Sequence, residues 1–157
     1  SGPLLKLSDI EPGLKDCEGT TLDGLDSTSY YNIGDAKYDN LFFQAAKING
    51  TLKELKYLIV SVKSDPNKFI RNSDNRKCTI KIVQYGMGTI PKMVESCKSL
   101  IGQLNALNPK DDFTGLKATK VPEATQGIAG SVQNITSAAQ AFAGILTELG
   151  VINDQLK

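Results

Sequence analysis

The segment Thr79–Ser96, TIKIVQYGMGTIPKMVES, decides the fold because it supports two readings. In one, TIKIV over 79–83 is a strand, YGMG is a turn, and Pro91 opens a helix. That is the order in which nucleotide-binding folds cradle phosphate. In the other, the whole segment belongs to one long helix. From Ile80 the apolar positions are Val83, Met87, Ile90, Val94, Cys97, Ile101 and Leu104, spaced 3-4-3-4-3-4-3. The helical period passes through both glycines without losing phase, which two elements joined by a turn would do only by chance. Gly86-Met87-Gly88 also fails as a dinucleotide fingerprint, since the third glycine of G-x-G-x-x-G would fall on Pro91. No Gly-Lys-Ser/Thr follows it either. The pattern predicts one helix from about Asp74 to Leu107, stopped by Asn108-Pro109 and kinked between Gly86 and Pro91. A short strand at 79–83, or a break into two helices, is the competing reading, because Ile80 and Ile82 alternate about Lys81.

Two more helices flank this one. Leu41, Ala45, Ile48, Leu52, Leu55, Ile59 and Val62 are spaced 4-3-4-3-4-3 from about Asp35 to Asp65-Pro66, with Lys47, Lys53, Glu54, Lys56 and Lys63 off the seam. After the loop NPKDDFTGLKATKV, Pro122 is placed to open a third helix. Its seam is Ile128, Val132, Ile135, Ala139, Phe142, Leu146 and Leu149. A second row beside it, Gly127, Gly130, Asn134, Ser137, Ala141 and Gly144, is small enough for close helix packing, or for a second copy or partner helix. Residues 1–34 are turn-rich, with Leu4, Leu5, Leu7, Ile10 and Leu14 scattered as anchors. The expected fold is all-α: an elongated antiparallel three-helix bundle over 35–157, with a kinked middle helix and an irregular N-terminal arm over 1–34 docked upon it.

Composition narrows the chemistry. The chain has 157 residues, 40% hydrophobic and 22% charged, no Trp and a net charge of +1. That balance gives no reason to expect nucleic acid. Lys63, Lys68, Arg71, Arg76, Lys77 and Lys81 gather in one region but are interrupted by Asp65 and Asp74, as in a solvated connection; phosphate or phospholipid contact is the sharper alternative. There is no histidine. Ser-His-Asp and Cys-His catalysis are therefore excluded, with most zinc sites. No cofactor or metal is expected. No run approaches the roughly 18 apolar residues needed to span a bilayer, so no transmembrane segment is expected.

Of three cysteines, Cys97 falls on the middle seam and reads as a buried thiol. Cys17 and Cys78 are the disulfide pair expected if the protein is exported, tying the arm to the bundle. Asp16, Glu18, Asp23 and Asp26 supply oxygen ligands of the kind calcium uses, but without EF-hand spacing they read as turn formers. Asp111-Asp112 reads as loop, with a carboxylate dyad as the catalytic alternative. The sequons at Asn49 and Asn134 read as chance matches, since Ile135 lies in a seam.

These readings favour a non-enzymatic protein that binds a protein partner or envelope component, or serves structurally. The opening Ser1-Gly2-Pro3 resembles a protease-cleavage remnant, so any signal peptide or lipid-bearing cysteine would have been removed with the native N-terminus. Lys-rich usage with only two Arg suggests a bacterial source. The general build resembles exported bacterial helical lipoproteins, periplasmic or surface-attached, with no motif that carries residues over. The alternative is a carrier of an apolar small molecule or lipid, held where the middle helix is weakest. Gly86, Met87, Gly88, Ile90 and Pro91 are then the pocket or hinge, with Phe142 and Ile145 opposite.

Overall fold

The computed structural model describes residues 4–5, 12–17 and 28–157, with Leu4, Leu5, Pro12, Thr28 and Ser29 described by backbone alone. Three long helices carry the fold: α1 (Ala36–Ser64), α2 (Ser73–Asn105) and α3 (Val121–Gln155). Two two-residue strands, β1 (Leu4–Leu5) and β2 (Thr28–Ser29), pair antiparallel and lie against α1. A 3₁₀ turn at Pro12–Cys17 rests on α2. Most of the arm predicted over 1–34, with its anchors Leu7 and Ile10, lies outside the described residues. Its anchor Leu14 is buried.

The first two long helices begin and end for local reasons. The Asp35 carboxylate accepts the Tyr38 N–H at the start of α1, and Asp39 accepts the N–H groups of Ile33 and Gly34. Gly34 has φ 82°, a left-handed conformation that glycine adopts without strain. Asp65-Pro66 stops α1, and a single π turn, Asn67–Arg71, leads into α2. There the Asn72 side chain accepts the N–H groups of Asp74 and Asn75. Asn108-Pro109 ends α2, followed by a one-turn helix (Pro109–Asp112) and a 3₁₀ turn (Gly115–Lys120).

The segment Thr79–Ser96 is helix throughout, so strand and turn are excluded there. Pro91 lies inside α2 with its ring exposed. It has no N–H for the Met87 carbonyl and its ring crowds that carbonyl, the usual origin of a helix bend.

The helices run up-down-up. Phe42 packs on Gly127 and Lys63 pairs with Glu148, so α1 and α3 are parallel. Gly86 meets Leu149, and Arg76 bonds the Leu156 carbonyl, so α2 runs opposite to both. All seven predicted seam residues of α1 are buried. Ala46, Gly50 and Glu54, one row round, are buried as well, although Glu54 lies off the predicted seam.

In α2 and α3 only one row of each predicted seam is right. Val83, Ile90, Cys97 and Leu104 are buried, but the companion row is Thr79, Gly86, Met93 and Leu100, one residue before the predicted Ile80, Met87, Val94 and Ile101. Ile135, Phe142 and Leu149 are likewise buried with Ser131, Ala138 and Ile145, in place of Val132, Ala139 and Leu146. The cause is close approach. A Cβ built on Gly86 would lie 2.8 Å from a Leu149 methyl and 3.0 Å from those of Leu55. The larger side chains at the predicted positions become half-buried flanks, and Val94 is exposed.

A groove between the first two helices

Because α1 and α2 touch each other less than either touches α3, they leave a groove on the side away from α3. Its upper part is a recess of about 310 Å³. The side chains of Ile48, Met93 and Leu100 form its floor, and Gln44, Lys47, Lys92, Ser96, Ser99 and Gln103 its rim. Gln103 is shared with a second recess of about 730 Å³, bounded by Ala36, Lys37, Asn40, Leu41, Ala106 and Leu107. From residue 36 to residue 48 of α1 the two extend about 18 Å, some three helical turns. The rim carries Lys37, Lys47 and Lys92, and among the described residues no carboxylate lines it, Asp112 lying just beyond Lys37.

Heptad spacing positions these groups. Leu41, Ile48, Met93 and Leu100 are seam residues whose outer edges show in the groove, while Gln44, Lys47, Lys92, Ser96, Ser99 and Gln103 stand beside the seams. Sequence reasoning missed this site, because it requires knowing which flank of α1 faces which flank of α2. The only available signal was that neutral and basic residues occupy both flanks.

At the lower end the groove is anchored by Tyr38. Its hydroxyl donates to Asp112 Oδ2 at 2.6 Å, and its ring packs on Phe113 with centroids 5.0 Å apart. Burial first, then the hydrogen bond to Asp112, raise the phenol above its ordinary range. The same hydrogen bond is the largest influence on Asp112, holding its carboxyl below the usual carboxylate range, with Lys37 at 3.5 Å adding to the effect. Asp111 is engaged separately: its Oδ2 accepts from the Asn108 amide at 2.9 Å. Asp111 and Asp112 thus have different partners, and Asp112 is held ionised, the wrong state for a general acid.

The other sequence-selected residues are placed as follows. Cys17 and Cys78 are bonded, Cα atoms 5.6 Å apart, fixing the arm to the start of α2. Cys97 is a buried free thiol whose pKa burial pushes up. Gly86, Ile90, Phe142 and Ile145 lie together in the packed core, Met87 is half-buried, and Gly88 and Pro91 are exposed. The two recesses are lined by other residues. In the basic region, Lys63 pairs with Glu148, Lys68 lies over the Phe69 ring, and Arg71 bonds Asn67. Arg76 bonds the carbonyls of Ile70 and Leu156, the latter at the end of α3. Lys77 and Lys81 are exposed. Of the acidic cluster in the arm, Asp16 is exposed, and Glu18, Asp23 and Asp26 lie outside the described residues. Among the described residues no group of three or more acidic or cysteine side chains is placed to hold a metal.

Of the row of small residues on α3, Gly127 packs against Phe42 and Gly130 against Tyr31, while Asn134, Ser137 and Gly144 face outward. Contrary to the expectation that no segment approaches membrane-spanning length, a stretch within Gly115–Gln155 is long and apolar enough by length and composition, its small and aliphatic residues raising the mean hydropathy with few charges; 33% of it is buried in the bundle. Comparison with protein-family models, with curated proteins and with solved structures finds no match to this chain.

Proposed function

We propose that this protein is a non-enzymatic binding module whose working surface is the α1–α2 groove, and that its partner is an acidic amphipathic helix. The observation that carries the reading is the pairing of an apolar floor, Ile48, Met93 and Leu100, with described lining residues whose charged members are Lys37, Lys47 and Lys92. A partner helix laid in such a groove buries its apolar face on the floor and brings its carboxylates to Lys47 and Lys92. Lys37 is already paired with Asp112, which leaves those two as the rim's charge readers.

The carrier alternative requires the helices to part between Gly86 and Pro91. At that level Gly86, Leu55 and Leu149 already meet at van der Waals distance, and this packing favours the groove over an internal pocket. Export is supported by the Cys17–Cys78 bond, since disulfides persist in oxidising compartments. A tether to a bacterial envelope rests on composition alone.

The test is calorimetric titration of the intact protein with acidic, neutral and basic amphipathic helical peptides of equal length. The acidic peptide binds, and Lys47→Glu with Lys92→Glu weakens it at least about tenfold, the loss of two charge contacts. Equal affinity for all three peptides, or no effect of the double substitution, would refute the reading.

A further inference from the structure

The basic region singled out in the sequence meets a cavity that the groove does not explain. Where α1 passes through the π turn into α2, beside the end of α3, a recess of about 640 Å³ is lined by Pro66, Ile70, Arg71, Arg76 and Gln155. Its two guanidinium groups come from different elements, the π turn and α2. Among the described residues every acceptor they reach is neutral: Arg71 bonds the Asn67 side chain, and Arg76 bonds the carbonyls of Ile70 and Leu156. A guanidinium is a rigid fork with more N–H donors than these bonds use, so both arginines keep donors and charge for an anion. The two carbonyl bonds also hold the Arg76 fork in place before any ligand arrives.

The surrounding carboxylates are engaged elsewhere or turned away. Glu148 pairs with Lys63, Asp154 with Lys157, and Asp65 accepts the Lys68 N–H. Asp74 stands two residues before Arg76 on α2, about 200° round the helix from it. Among the described residues no carboxylate forms an ion pair with either arginine. The Asn72 side chain takes the N–H groups of Asp74 and Asn75, so the recess owes its donors to side chains and not to the start of α2.

We propose that this recess binds a phosphate monoester, with Arg71 and Arg76 clasping the phosphate oxygens and the Gln155 amide donating a further hydrogen bond. Phosphate suits the donors better than carboxylate. Two forks and an amide engage three oxygens, whereas a single fork satisfies a carboxylate. The recess is of a size that takes whole small molecules, and Pro66 and Ile70 offer an apolar wall to the organic part of the ester. That part is either a soluble molecule or the lipid body of phosphatidic acid. Bound here, the phosphate joins the π turn, α2 and α3, and it stabilises the fold by mass action. The site lies at the other end of α1 from the groove and stands whether or not the groove takes a helix.

The intact protein, freed of phosphate, is melted in rising inorganic phosphate or glycerol 3-phosphate, and in chloride at matched ionic strength. Both phosphates raise the melting temperature, the ester more than the ion, and chloride does not. In an NMR titration with glycerol 3-phosphate the shifted amides are those of Ile70, Arg71, Arg76 and Gln155. Arg71 is exposed, so Arg71→Gln keeps the helicity while weakening glycerol 3-phosphate at least about tenfold. Arg71→Lys, which keeps the charge without the fork, restores only part of that affinity. Vesicles separate the two sources. Cosedimentation with phosphatidylcholine vesicles only when they contain phosphatidic acid, and its loss in Arg71→Gln, marks the lipid; the thermal shift without cosedimentation marks the soluble ester. Phosphate and chloride acting alike overturns the proposal, as does Arg71→Gln binding glycerol 3-phosphate like the parent. Amide shifts spread along the lysines of α1 and α2, in place of the recess, overturn it too.

Discussion

The upper and lower ends of the bundle are built on different terms. At the upper end the helices are tied directly to one another: Cys17 is bonded to Cys78, Arg76 holds the Leu156 carbonyl just past the end of α3, and Gly86 lets Leu55 and Leu149 meet α2. A recess of about 640 Å³ remains there, lined by Pro66, Ile70, Arg71, Arg76 and Gln155. At the lower end two recesses lie between α1 and α2, and Tyr38 packs beside them on Asp112 and Phe113. A surface that must receive a partner has to be left unfilled, and the chain can leave it so only where the remainder holds the helices in register. The difference between the two ends is therefore a division between holding and binding.

Removing the disulfide attacks the tied end most strongly. Cys17→Ser with Cys78→Ser opens a loop whose ends are 61 residues apart, and the chain-entropy argument predicts a loss of about 4 kcal/mol in urea unfolding. Peptide affinity at the groove should be unchanged, and a matching loss there would break the division. Next in size is Gly86→Val, which drives methyl groups into Leu149 and Leu55 and should cost about 1–3 kcal/mol as overpacking.

How much of this was legible in the sequence follows from the same residues. Phase across Gly86 and Gly88 was enough to show a helix, because period survives whatever the side chains weigh. Which companion row faces the core was not legible: hydrophobicity favours Ile80 and Met87, while the bundle chooses Thr79 and Gly86 so that α2 can lie close to its neighbours. The pairing of Cys17 with Cys78 could be read, since Cys97 falls on the shared row. The groove could not, because its members come from two helices whose relative rotation follows from that unreadable row.

At the open end, Tyr38→Phe removes the donor that holds Asp112 ionised. A carboxyl whose folded pKa is depressed contributes stability above its unfolded value, about 3.9, and that contribution is lost as pH falls through the folded one. The gap in melting temperature between the protein and Tyr38→Phe should thus be largest near neutral pH and shrink below about pH 4. A gap independent of pH would remove Asp112 from the account. The smallest effect is of opposite sign. A Cβ at Gly88 meets nothing within 4 Å, so Gly88→Ala should stabilise α2 by about 0.5–1 kcal/mol through helix propensity alone. Two glycines two residues apart would then respond in opposite directions, which sharpens the contrast between packed and open faces of one helix.

The central claim is that the groove, and not the packed core, receives the partner. The most direct measurement is an NMR amide-shift map of the isotope-labelled protein titrated with the acidic amphipathic peptide. The account predicts that the perturbed amides cluster at Gln44, Lys47, Lys92, Ser96 and Gln103, with those near Gly86 and Leu149 unmoved. Shifts centred on Gly86, Ile90 and Phe142, or confined to the basic end around Arg71 and Lys77, would contradict it.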